Sequence, residues 1–410
     1  MFKKLCLVLL VCTPVPVLAQ KKDKHATKMA ATITAADMKK HLYILADAEM
    51  GGRDTPSPGL EKAANYIEEQ FKAIGLLPGN KDSYRQYYPL YKDSMTGAAM
   101  KINGMSLELN KDFQPMTANY AAEMRFSELV FAGYGIHDGE NRDDYKDLNV
   151  AGKLVMIIDG TPPGYKPSQQ GFRSPSSLFG KMTTAQSKGA AALLIVSGNY
   201  PRRSMNTSGN WSMNSYKSSQ SPFTFSVSKE IAAKIMGETP AAFDEKMKSG
   251  QFETKSLQAE TDLAYSKTTQ TTYVSNVLGL LEGTDLKDEY VVLTAHYDHV
   301  GKRSDGTIFY GADDDGSGTT GIIELAQAFA EAKKAGKGPR RSIVFMTVSG
   351  EEKGLWGSGY YTDHPVFPLE KTTVDLNIDM IGRVGSEYVK SPDSVNYVYI
   401  IGDDKLSTDL

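Results

Sequence analysis

Two rhythms of apolar and polar positions divide the chain. From Ala35 to Ala48, and again in GLEKAANYIEEQFKAIG, apolar residues recur at steps of three and four. In the second run Leu60, Ala63, Ala64, Ile67, Phe71 and Ile74 share one face and Gly75 supplies a stop, so both segments are expected to be helices. The GGRDTPSPG between them is a loop by composition. From about Phe126 short β-branched and aromatic runs take over: SELVFAGYG, GKLVMIID and ALLIVS, the last preceded by the helical SLFGKMTTAQSKGA. Asn199 to Ser221, rich in Ser and Asn, reads as a long loop. Near Thr272 the pattern changes again to VVLTAH, a helix from Gly318 to about Ala335, SIVFMTV and TVDLNID. Apolar strands spaced by a helical pattern predict an α/β fold, a mostly parallel mixed sheet flanked by helices. In such sheets chemistry gathers just past the carboxyl ends of the strands.

Composition narrows the class. A chain of 410 residues exceeds what one core usually serves, which predicts two domains or one domain with a large insert. The start, MFKKLCLVLLVCTPVPVLAQ, has two lysines, an apolar run and small residues at Val17 and Ala19. It reads as a signal peptide over 1–19, with a mature chain from about Gln20 exported to the periplasm or the outside of the cell. Cys6 and Cys12 both lie in that segment, so a metal site elsewhere must use histidine and carboxylates. A formal charge of -3 without a basic stripe argues against nucleic acid. No stretch reaches the roughly 18 apolar residues of a membrane span.

The residues with chemistry fall at strand ends. VVLTAH ends at His296, within HYDHVG; SIVFMTV runs into SGEEKG with Glu351 and Glu352; TVDLNID ends at Asp379; and GADDDGSG, with Asp313, Asp314 and Asp315, opens a helix. One aspartate there is explained by a helix cap, three are not. Histidine with several carboxylates is a ligand set for zinc, manganese or cobalt. Asp298, two residues beyond His296, is placed to accept from the imidazole and orient it. His299 has no comparable partner in the sequence and reads as a packing or loop residue. Glu351 and Glu352 are adjacent and therefore point apart, so one can bind metal while the other holds a proton. Asp379, read as the last residue of a buried strand, calls for a cation.

GADDDGSG, HYDHVG, SGEEKGLWGS and NIDMIGR together resemble the four motif blocks of the zinc peptidases that include secreted bacterial leucyl aminopeptidases and glutamate carboxypeptidase II, with the transferrin receptor as a non-enzymatic relative. LADAEMGGRDTPSPGLEKAANYIEEQF resembles that family's lead-in helices, and VFAGYG, DLNVAGKLVMI and AQSKGAAALLIVS resemble an inserted protease-associated domain. The resemblance implies a peptidase domain over 20–125 and 265–410 and an insert over 126–264. It also implies two zinc ions per family site. Asp313 would bridge them, His296 and Asp379 would complete one, and Glu352 would serve the other. Glu351 would be the general base and Asp298 the partner of His296, and a cis peptide would follow Asp313. The implied activity is that of an exopeptidase acting on peptides, most simply an aminopeptidase. A glutaminyl cyclase and a receptor-like interaction protein share the fold and stand as alternatives; the first makes no use of His296 and Asp298.

One element departs from the family pattern. The family has a further histidine ligand well downstream of the residue matching Asp379. The six histidines here, at 25, 41, 137, 296, 299 and 364, all precede that residue, and His364, in TDHPVF, reads as a loop residue. YVYIIGDDKLSTDL reads as a strand, a turn and a helix start at Leu406 to Leu410. The expectation is a family domain incomplete at its C-terminus, holding one zinc firmly and the other weakly.

Overall fold

The computed structural model describes residues 23–117, 120–201, 207–214, 222–390 and 397–402. The signal expected over 1–19, most of the loop expected over Asn199–Ser221 and the helix start expected at Leu406–Leu410 lie outside the described residues. Described residues up to Tyr88, together with those from Tyr273 onward, form one compact unit; Pro89–Thr272 forms the other. The boundaries expected at 125/126 and 264/265 fall inside two long strands, Ala122–Phe131 and Lys255–Leu281.

The first unit is built on strands Leu286–His296, Arg341–Val348 and Thr372–Asn377. Leu286–His296 lies between the other two and pairs in parallel with both. The end of Lys255–Leu281 adds antiparallel to Arg341–Val348, and Leu77–Pro78 adds antiparallel beyond it. SIVFMTV is buried along its whole length, as a strand covered on both faces must be. Thr372–Asn377 differs from the buried strand expected of TVDLNID: among the described residues it pairs on one side only and is largely exposed, with Asp375 and Asn377 accepting from the Thr294 hydroxyl.

Helix Gly316–Lys334 packs on Leu286–His296 and is itself covered by helices Lys24–Ala30, Ala35–Leu45 and Pro58–Ile74. Its first turns, GSGTTGII, are small or β-branched and buried, which lets the helix approach the sheet closely. Pro58–Ile74 follows its sequence signals: Ser57 caps it by accepting from Leu60 N–H, Pro58 occupies the first turn, and Gly75 ends it at φ 91°. Leu60, Ala63, Ala64, Ile67 and Phe71 are buried as expected, while Ile74 is half-buried. No helix among the described residues is long and apolar enough to cross a membrane. Tyr397–Gly402, expected to hold the end of a strand, has no regular structure.

In the second unit, Phe113–Thr117, Phe223–Ser228, Ala192–Ser197, Leu154–Ile158, Ala122–Phe131 and the start of Lys255–Leu281 lie side by side. The inner four are mutually parallel. Side chains of LVMII alternate between two apolar clusters, Leu154, Met156 and Ile158 in one and Val155 and Ile157 in the other. The runs read from the sequence as buried strands are therefore covered on both faces, with Leu178–Ser187, Lys229–Met236 and Pro240–Ser249 as the helices of this unit.

Candidate metal centre

The parallel strands of the first unit deliver their polar residues to one edge. His296 is the last residue of its strand and pairs in register with Val348, so the GEE turn after Val348 starts beside it. Glu351 and Glu352 lie in a short 3-10 turn between Gly350 and Gly354, both left-handed (φ 73° and 104°). Asp379 follows the edge strand by two residues, and GADDD leads into helix Gly316–Lys334.

His296 is the centre of the first cluster. Its Nε2 lies 3.1 Å from Asp314 Oδ1, 3.9 Å from Glu351 Oε2 and 4.0 Å from Asp379 Oδ1. The second cluster is on the other side of Asp314: His299 Nδ1 is 4.0 Å from Asp314 Oδ2 and 2.7 Å from Glu352 Oε1. The two oxygens of a single carboxylate thus face two imidazoles.

The geometry of the aspartate triplet differs from the arrangement expected. Asp313, expected to bridge, turns away: it accepts from Gly382 N–H at 2.8 Å and pairs with Arg383 at 2.7 Å. Asp315 is fully buried and occupied with structure. One of its oxygens accepts from Gly318 N–H, capping the helix, and the other accepts from His296 N–H at 3.1 Å. Its distance from His296 and Asp379 would also suit an ion, but its oxygens already serve as acceptors for N–H groups. Asp314 is the member of the triplet whose two oxygens face the two imidazoles. The cis peptide accordingly lies between Asp314 and Asp315, one residue later than expected.

Asp298 holds the site in a different way from that expected. His296 Nδ1 is 3.1 Å from the Asp298 backbone carbonyl and 3.6 Å from its carboxylate, so the carbonyl is the closer acceptor. The carboxylate accepts from Glu351 N–H at 3.1 Å, tying the HYDH loop to the GEE turn.

Charge is concentrated here. Burial pulls the His296 imidazole down, but Asp298, Asp315 and Asp379 more than reverse this and raise it to about 9. Burial raises the Glu351 and Asp379 carboxyls; His296 opposes this in both, while Asp298, Glu352 and Asp379 reinforce it for Glu351. Burial raises Asp315 to about 8 against the pull of His296. Carboxylates and imidazoles crowded together in this way are stabilised by a cation among them.

The donor set fits zinc. Glu352 Oε1 and His299 Nδ1 are both covered and make no hydrogen bond despite their closeness. Two unpartnered donor atoms facing one point are what a bound metal resolves and a hydrogen-bond network does not.

Two residues escaped the sequence reading. His299, taken for packing, belongs to the second cluster. Arg53, in a loop that composition marks as solvated, is 1% exposed. Its guanidinium donates to the carbonyls of Tyr297 at 2.7 Å, Tyr310 at 2.8 Å and Gly311 at 2.7 Å, and to that of Leu45. It joins the HYDH loop to the aspartate loop, and His299 N–H donates back to its carbonyl at 3.2 Å. Burial lowers this guanidinium to about 10 against the pull of Asp298, Asp315 and Asp314, which leaves it charged at neutral pH.

One comparison with known proteins locates a likeness in the same segment. Residues 276–402 match the model of Peptidase family M28. Aminopeptidase YwaD of Bacillus subtilis is 32% identical over 131 residues, 30% of this chain and 26% of that protein. A probable glutamate carboxypeptidase of Arthroderma benhamiae is 36% identical over 121 residues, 29% and 16%. A probable zinc metalloprotease of Leptosphaeria maculans is 34% identical over 116 residues, 27% and 25%. These matches span at most about a quarter of each relative's length. Among solved structures, an aminopeptidase from Aneurinibacillus sp. strain AM-1 aligns over 88% of this chain and 73% of its own at 20% identity and a TM-score of 0.43.

Proposed function

We propose that this chain, whose residues 276–402 match the model of Peptidase family M28, is a zinc-dependent exopeptidase that removes N-terminal residues from peptides. The observation that carries the reading is the placing of one carboxylate, Asp314, between two imidazoles at the ends of parallel strands, with Asp379 and Glu352 completing the two sides. His296, Asp314 and Asp379 would hold one zinc, and Asp314 and Glu352 belong to a second position. Zinc bound there supplies Lewis acidity, which acidifies water and polarises a peptide carbonyl.

The protein's own part in the chemistry falls to Glu351. Its carboxylate is one-third exposed, lies 3.9 Å from His296, and is raised by burial above the usual carboxylate range. It accepts a proton from the attacking water as the new C–O bond forms and delivers it to the leaving amine as the C–N bond breaks. Asp298 keeps Glu351 in place through the backbone N–H, and its own carbonyl orients His296.

Replacing Glu351 by Gln tests this. Hydrolysis of aminoacyl anilides is expected to fall by about 10²- to 10⁴-fold with zinc content unchanged. Unchanged turnover would remove Glu351 from the mechanism. The start of the chain supports export, for which N-terminal sequencing of the cellular protein is the check: a first residue near Gln20 is expected, and Met1 would refute it. The insert expected over 126–264 lies within the second unit, and the reading gives it a recognition role; a Pro89–Thr272 deletion that hydrolyses long and short peptides in the same ratio as the full chain would reject that role.

A further inference from the structure

We propose that His299 is a protein ligand of the second zinc position, with its Nδ1 joining Asp314 and Glu352. The inference rests on the zinc-peptidase reading and adds a donor that the family resemblance does not supply. His299, Asp314 and Glu352 offer ligand atoms that all lie within 4.8 Å of one another. His299 is only 13% exposed and Glu352 18%. Their nearest atoms stand 2.7 Å apart, close enough for an ion pair were the imidazole protonated, yet neither atom has a hydrogen-bond partner among the described residues. A neutral imidazole nitrogen and a carboxylate oxygen that meet lone pair to lone pair repel each other, and a cation between them converts the repulsion into two bonds.

The position on the chain explains why this nitrogen is available. Past the end of the strand at His296 the two-residue alternation stops. The backbone of His299 is held by its N–H to the Arg53 carbonyl, while Gly301 N–H donates to Gly52. The loop is therefore fixed on both sides of the histidine, and His299 presents its ring toward the GEE turn without further reorganisation. Three donors of this kind, one imidazole and two carboxylates, make up a zinc site that leaves a position open for water or substrate.

Zinc binding by the 410-residue chain, measured by equilibrium dialysis with mass-spectrometric metal counting, tests the proposal on wild type, His299→Ala, His299→Cys and His296→Ala, with circular dichroism to check folding. Wild type is expected to bind two zinc ions. His299→Ala should keep one and bind the other at least about tenfold more weakly. His296→Ala should weaken the opposite position. His299→Cys should restore the second ion and, loaded with cobalt(II), show a thiolate-to-cobalt charge-transfer band absent from wild type, a signature that a merely structural role does not give. Unchanged binding of both ions in His299→Ala, binding of a single ion by wild type and His299→Ala alike, or a cobalt-loaded Cys variant without that band would overturn the assignment while leaving the first zinc position intact. Wild type that binds no zinc would instead overturn the peptidase reading on which the assignment rests.

Discussion

Arg53 joins the two metal-bearing loops, and removing it should cost the first unit much of its stability. Arg53→Met keeps the aliphatic stem but deletes every donor. Of the four carbonyls served, Gly311 still accepts from Gly316 N–H at 3.1 Å, which leaves Leu45, Tyr297 and Tyr310 to lose the guanidinium. A buried acceptor left without a partner costs roughly 1–3 kcal/mol, so the three together amount to roughly 3–9 kcal/mol. That is a large part of the roughly 5–15 kcal/mol that holds a typical domain together. Asp298, Asp314 and Asp315 also lose a positive charge, which adds to the loss. Lysine keeps the charge but not the planar fork, so Arg53→Lys should fall between methionine and wild type. The chain has two tryptophans, Trp211 in the second unit and Trp356 in the first. In a Trp211→Phe background the fluorescence of Trp356 therefore follows the unit of interest. At roughly 2–4 °C per kcal/mol, the methionine variant should melt at least roughly 6 °C lower. A fall of less than about 2 °C would show that the carbonyls find other partners and that Arg53 is not what joins the loops.

Two further predictions follow from single side chains. Lys181, fully buried in the second unit, donates to the carbonyls of Ile158 and Gly160, and burial lowers it to about 8. Between pH 8 and about 10.5 the unfolded chain holds this proton and the folded chain does not, so stability should rise with pH over that window by up to roughly 3 kcal/mol. Denaturation of wild type and Lys181→Met at pH 7.5 and 10 checks this; equal pH dependence in both would refute it. Within the triplet, Asp314→Asn should weaken zinc binding far more than Asp313→Asn, measured by competition with a chelating dye, and the reverse order would restore Asp313 to the bridging place.

Much of the site is visible in the sequence because chemistry at the ends of parallel strands leaves a repeated pattern: an apolar run, then a glycine, histidine or acid. That pattern brings out His296, Glu351, Glu352 and Asp379 without a structure, and it predicts the strands of both units, although it wrongly reads TVDLNID as buried. It does not rank three consecutive aspartates, because each can turn toward a different neighbour. The helix cap offers a partial signal: the residue just before Gly316 is the one able to accept from Gly318 N–H, which removes Asp315 from the choice. Asp313 is removed only by Arg383 and Gly382, nearly 70 residues away in sequence. His299 lies beyond the strand, where alternation no longer says which way a side chain faces. Arg53 is hidden for another reason: arginine in a Gly- and Pro-rich loop is ordinarily solvated, and its burial is set by the carbonyl of Leu45 together with carbonyls from two distant segments.

The most direct test of the central claim is anomalous diffraction at the zinc edge from crystals of the chain grown with zinc. A peak within bonding distance of His296 Nε2, Asp314 and Asp379 is expected. Zinc found only elsewhere, or bridged by Asp313 rather than Asp314, would contradict the metal centre described above.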